Sequence, residues 1–179
     1  MFKIKKYNEY FQTSSRSAMQ ELALKNADVN LLGKLYDVVD KFRPYKPLKN
    51  IIKPNSDEKF ALLATAYCKV TNPEKYESVI EDAIEESRLR GLYSELVNCK
   101  NLINVCFSIA KLLNLDPIKS IKNNTFINTL IDVFKEYEIH FEDCELLHSH
   151  YSKGDVNGDS KVVFDVIKSK MPKLLKEEN

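Results

Sequence analysis

The sequence predicts an all-α fold, an irregular bundle of about eight helices, on three observations. Apolar residues recur three and four positions apart along nearly the whole chain, and no stretch sustains the strict alternation of a half-buried strand. Only four Gly and six Pro occur in 179 residues, too few for a β-protein built on tight turns. The composition, 44% hydrophobic and 30% charged, is that of a globule able to bury a core of Leu, Ile, Val, Phe and Tyr. The length suits one domain over residues 1–179, with a Pro-interrupted segment at 44–56 and a polar loop at 152–160.

Each element has a local reason. Met19, Leu22 and Ala23 share a face of a first helix near 15–26. Asp28 reads as the N-cap of a second, whose inner face is Leu32, Leu35, Tyr36, Val39 and Phe42 and which Pro44 and Pro47 end. Helix resumes at Ser56-Asp57, with Phe60, Leu63, Ala64 and Tyr67 inward. Asn72-Pro73 reads as cap and first helical residue of the next, with Tyr76, Val79, Ile80, Ala83 and Ile84 inward and Gly91 beyond its end. The stretch 92–114 is long and markedly apolar (Leu96, Cys99, Leu102, Ile103, Cys106, Ile109, Ala110, Leu113) and is expected at the centre of the bundle. Asp116-Pro117 opens a short helix, and Asn124 or Thr125 caps one carrying Phe126, Leu130, Val133, Phe134 and Tyr137. Residues 141–151 and 161–171 are the last two, the final one closed by Pro172.

Asp28, Asn72, Asp116 and Ser160 are all potential N-caps, each 44 residues from the last, a period found in helical-repeat arrays. The apolar pattern after the caps does not recur: PIKSIKNNTF stands where the preceding copy has PEKYESVIED. An irregular bundle is therefore expected over a degenerate repeat array.

The net charge is +1, from 27 basic and 26 acidic side chains, and only four of the cations are Arg. Phosphate affinity scales with cationic contacts, and Arg supplies the bidentate fork for phosphates and bases, so the balance argues against nucleic acid. The fifteen Asn and the excess of Lys over Arg fit an AT-rich genome. Cys68, Cys99, Cys106 and Cys144 lie apart within apolar patterns, without a CxxC, and read as buried thiols. The opening MFKIKKYNEYF has no apolar leader region, and no 18 apolar residues run together, so no membrane span is expected. A reducing cytoplasm, that of a cell or of an infected host, is the expected setting.

Four stretches could carry chemistry. In KGDVNGDSKVVFDV, Asp155, Asn157 and Asp159 occupy positions 1, 3 and 5 of a calcium loop. GDVNGD resembles the start of dockerin-type and EF-hand loops, which implies a weak calcium-binding regulatory site. The loop's Gly position holds Ser160, and position 12 holds Val166, with Asp165 one residue early. Without the bidentate anchor the stretch reads as a turn at Asn157-Gly158 and a cap at Asp159 or Ser160.

In EKYESVIEDAIEESRLRG, Glu77, Glu81 and Glu85 follow at four-residue spacing beside Asp82, as magnesium-binding carboxylates for pyrophosphate chemistry would. The pair Asp82 and Glu85 is similar to the first acidic motif of all-α nucleotide pyrophosphohydrolases, which implies metal-dependent hydrolysis of a nucleotide. The second motif is incomplete, since Glu95 is followed at +3 by Asn98 and not Asp. The plain alternative is the solvated side of an amphipathic helix, with Arg88 and Arg90 suiting its C-terminal dipole.

All three histidines fall in IHFEDCELLHSHY, where His140, Cys144 and His148 share a helical face and His150 follows. Two ligands at i, i+4 can share a metal, but the third lies about 12 Å along the axis. Cys144 beside His140 or His148 is also the one nucleophile with a nearby base, with no orienting group in the sequence; there is no GxSxG and no Gly-rich phosphate loop.

Finally, FKIKKYNEYF and YDVVDKFRPYKPLKN mix aromatics with Lys. Such mixtures serve single-stranded nucleic acid, protein interfaces or plain packing under snorkelling Lys stems. Each catalytic pattern lacks a required member. The expected function is therefore protein–protein interaction, as an adaptor, inhibitor, immunity or host-modulating protein, without cofactor and compatible with a homo-oligomer. The expected surface is Phe42, Arg43, Tyr45 and Ile51 beside the Pro-interrupted segment.

Overall fold

The computed structural model describes residues 17–42, 54–152 and 158–170. Among them stand nine α-helices, one 3-10 turn and no strand. The multi-helix all-α fold expected from the periodicity is what the chain adopts.

Helix α1, Ala18–Lys25, begins at Ser17 through a capping box: Ser17 Oγ accepts from the Gln20 amide at 3.2 Å, and Gln20 Oε1 accepts from the Ser17 amide at 3.1 Å. The expected cap at Asp28 does not form. Asp28 lies inside the 3-10 turn Ala27–Val29, which runs on through Asn30, already in helical conformation, into α2, Leu31–Lys41. A capping side chain needs an extended residue at the junction, and none exists there. Asp28 pairs instead with Lys122 Nζ at 2.6 Å.

Helix α3, Ser56–Thr71, has a second capping box, Asn55 with Glu58, at 2.9 and 3.0 Å. Asn72 is its C-cap, the Asn72 amide donating to the Cys68 carbonyl at 2.9 Å. With that amide closing α3, the Asn72-Pro73 start signal fails. Pro73 to Tyr76 form a turn, and α4 is Glu77–Leu89. The chain then turns at Gly91 (φ 70°): the Gly91 amide donates to the Arg88 carbonyl at 3.1 Å and Leu92 to Ser87 at 2.7 Å. This launches α5, Tyr93–Leu112. The same motif ends α5 at Asn114 (φ 59°). Then come α6, Pro117–Ile121, capped by Asp116 as expected; α7, Asn124–Tyr137, capped by Asn123; α8, Phe141–Ser152; and α9, Gly158–Lys170. The motif recurs at the end of α7 on Glu138 (φ 49°).

The 44-residue spacing has no structural counterpart. Its four positions fall in a 3-10 turn, at a C-cap, at an N-cap and within α9.

Helix α5 runs through the middle, as its apolarity implies. It packs chiefly against α3 and α8, then α6 and α4; α1 crosses α3 and α4, while α7 holds α2 and α9. Leu102, Ile103, Val105, Cys106 and Ile109 of α5 are completely buried. All four cysteines are buried thiols, and burial pushes Cys68 up to about 11 and Cys106 up to about 12, which leaves them inert at neutral pH. Among the described residues no helix is long and apolar enough to cross a membrane.

Three buried acids or hydroxyls tie distant elements together. The Tyr36 hydroxyl of α2 donates to Glu95 Oε2 at the start of α5, both groups buried. Glu86 of α4 lies buried beside Ser17, Ala18 and Met19 at the N-terminus of α1, with Oε2 3.7 Å from Arg90 Nη1 and without a hydrogen bond of its own. Burial raises the Glu86 pKa, while Ser17, the Arg90 charge and the nearby Met19 and Ala18 backbone pull it back. Arg90 also pairs with Glu58, so α1, α3 and α4 meet in one polar cluster.

Candidate functional site: a groove along the central helix

The face of α5 that is not packed forms one continuous stripe. Tyr93, Val97, Lys100, Asn104, Phe107 and Lys111 follow at intervals of three and four residues, so they stack along one side of the helix. Tyr93 and Lys111 are eighteen residues apart, about 27 Å at 1.5 Å per residue. Thr65, Lys69, Val70 and Thr71 of α3 form the opposite wall. Two hollows of 240 and 500 Å³ lie along this line and share Asn104. The first is closed at the side by Ile84 of α4; the second is bounded by Asp116, Pro117, Ile118 and His148.

The floor is apolar and partly open to solvent. Tyr93 is 42% exposed, Val97 39% and Ile118 42%, and Leu89, at 60%, lies just before the groove in the chain. The charge along it is positive, from exposed Lys69, Lys100 and Lys111. Among the described residues that line it, Asp116 is the only carboxylate, and its Oδ1 accepts the Lys119 amide that starts α6. At the α4 end, the Arg88 guanidinium stacks 4.7 Å from the Tyr93 ring centroid.

A Ser–His pair lies at the far end. Ser108 Oγ is 2.6 Å from His148 Nδ1 and 2.9 Å from the Asn104 carbonyl, which can only accept. Burial, and then the Lys111 charge, lower the His148 pKa. A serine beside an imidazole has the form of an acyl-transfer pair, but with the Ser108 hydroxyl donating to the Asn104 carbonyl, Nδ1 donates to Oγ and is no base for it. Ser108 is only 3% exposed and stands within α5, where the helix ladder takes up the local amides. No amide remains to receive a developing oxyanion. The pair fastens α8 to α5.

Of the sequence-predicted site residues that the structure describes, His148 borders the second hollow and the others line neither hollow. Glu77, Glu81, Asp82 and Glu85 are exposed along α4, and Glu85 pairs with Arg88 at 3.8 Å. Glu95, of the second acidic motif, is buried against Tyr36. Among the described residues no three His, Cys, Asp or Glu come together as a metal site. Cys144 is buried, His148 is bound to Ser108, and His140 precedes α8 with its Nδ1 buried without a hydrogen bond. Phe42 is half-buried at the end of α2, its ring edge-on to His140 at 6.4 Å. Arg43, Tyr45, Ile51, Asp155 and Asn157 lie outside the described residues; Asp159 falls in the first turn of α9.

The expectation that 92–114 stands at the centre of the bundle does not include the groove along it. The signal was there: on one side of that helix, Lys and Asn interrupt Tyr, Val and Phe at helical spacing. No family model, curated protein or solved structure matches the chain.

Proposed function

We propose that the chain is a protein-binding module, acting as an adaptor or inhibitor does, and that its binding surface is the groove along α5. One observation carries this reading: large apolar side chains stand exposed, Tyr93, Val97 and Ile118, along two adjoining hollows walled by helices. Scattered exposed apolar residues are normal on a protein surface, whereas aligned ones rimmed by polar groups mark interaction sites. Tyr and apolar anchors in a preformed concave site are what protein interfaces use at their centres.

The test is affinity capture with tagged wild-type protein against a Val97→Glu/Ile118→Glu variant. Both side chains are solvent-facing, so the variant should melt as the wild type does. A partner held in stoichiometric amount by the wild type and lost by the variant is the expected result. A partner held equally by both would place the interface elsewhere, and recovery of none would remove the reading.

A further inference from the structure

Resting on that reading, the geometry points to the occupant of the groove: we infer that it receives an amphipathic helix of a partner protein, with an acidic polar face. The backbone of the occupant decides the first half of this. Both walls are helices, α3 and α5, whose own amides and carbonyls are joined along their ladders. A strand or extended peptide laid between them would leave its backbone groups unpaired as it lost water. A helix satisfies its own backbone and presents only side chains, the form that suits an apolar groove between helices. The length agrees, since about 27 Å accommodates about eighteen helical residues, or five turns.

The side chains decide the second half. Apolar contact is offered at two places, Val97 with Ile84 and Phe107 with Ile118. Around them stand Lys69, Lys100 and Lys111, and the single carboxylate among the described lining residues, Asp116, accepts the Lys119 amide at the start of α6. A helix with a basic polar face would meet three lysines against one carboxylate, while an acidic one meets a cation beside each hollow. Lysines on flexible stems attract carboxylates at a distance without imposing the fixed geometry of a guanidinium fork. Electrostatic steering with an apolar footing gives salt-sensitive capture of one helix face.

Three peptides of about eighteen residues test this by fluorescence polarisation against the full chain. The first has Leu at i, i+3, i+4 and i+7 and Glu elsewhere; the second keeps the Leu pattern and replaces Glu by Lys; the third has the composition of the first with the pattern scrambled. The acidic amphipathic peptide is expected to bind at least about tenfold tighter than either of the others. Lys100→Glu/Lys111→Glu protein, whose exposed substitutions leave the melting temperature in place, should reverse the preference between the first two. Equal binding of the Lys peptide, equal binding of the scrambled acidic peptide, or no binding of the first would each overturn the inference. The capture experiment separates the two failures. If a partner is lost with Val97→Glu/Ile118→Glu while the peptide fails, the surface stands and the occupant is wrong.

Discussion

Tyr36 and Glu95 show how single side chains hold this fold. A buried polar group is costly unless it is hydrogen-bonded, and the Tyr36 hydroxyl supplies a bond to the buried Glu95 carboxyl. Tyr36→Phe preserves the ring packing against Phe141, at 5.3 Å between centroids, and removes that bond. The expected loss is about 2 kcal/mol in chemical denaturation, with an unchanged denaturant slope. His148 gives a pH dependence of definite sign. Its folded pKa lies below the ordinary imidazole value, through burial and then Lys111. As pH falls through the ordinary imidazole range the unfolded chain takes up a proton first, so stability falls until the lowered folded value is passed. Melting temperatures from about pH 8 to about pH 5 should decline for the wild type, and His148→Gln should flatten that part of the curve. Neither relation was legible in the sequence. Tyr36 reads as another core aromatic, Glu95 as the start of an incomplete acidic motif, and Ser108 carries no signal, because each role depends on a neighbour from a distant segment.

At the scale of elements, helix identity was legible and helix boundaries less so. Periodicity is local, so every helical stretch shows it. A cap depends on which amide is already bonded, and the same Asn suits either end of a helix. Asn72 before Pro73 has the form of a start signal, yet it closes α3; Asp116 before Pro117 has the same form and does start α6. The left-handed residues after α4, α5 and α7 make one motif on three residue types, Gly91, Asn114 and Glu138, each followed by a buried Leu92, Leu115 or Ile139. Gly is suited to that conformation, Asn tolerates it, and Glu carries a Cβ cost of about 1–2 kcal/mol. Glu138 is exposed, so nothing else is lost with its side chain. Glu138→Gly is expected to stabilise the protein by about 1 kcal/mol, read as a higher midpoint in denaturant.

For the whole molecule, α5 is the common partner of α3, α4, α6 and α8, and its sequence announced as much. Leu102 is fully buried within it. Leu102→Ala should cost about 3 kcal/mol in equilibrium unfolding, with no surface property changed. The groove is the part that a sequence reading could not assemble. Its stripe lies on α5, but its depth comes from α3, α4, α6 and α8, brought beside it only by the fold.

The meeting of Glu86 with the start of α1 also sets an order of events during synthesis. Eight residues make too short a helix to persist in water by themselves, so α1 depends on what it docks against. Its bed is α3 and α4, and the buried carboxylate beside its first residues is carried by α4. As the chain leaves the ribosome, α1 emerges first of the described helices, yet its bed is not whole until residues up to Arg90 have followed. The earliest helix to be made is thus held unformed until its support arrives, and Met19 and Leu22, which end up fully covered, stay within reach of chaperones throughout that interval.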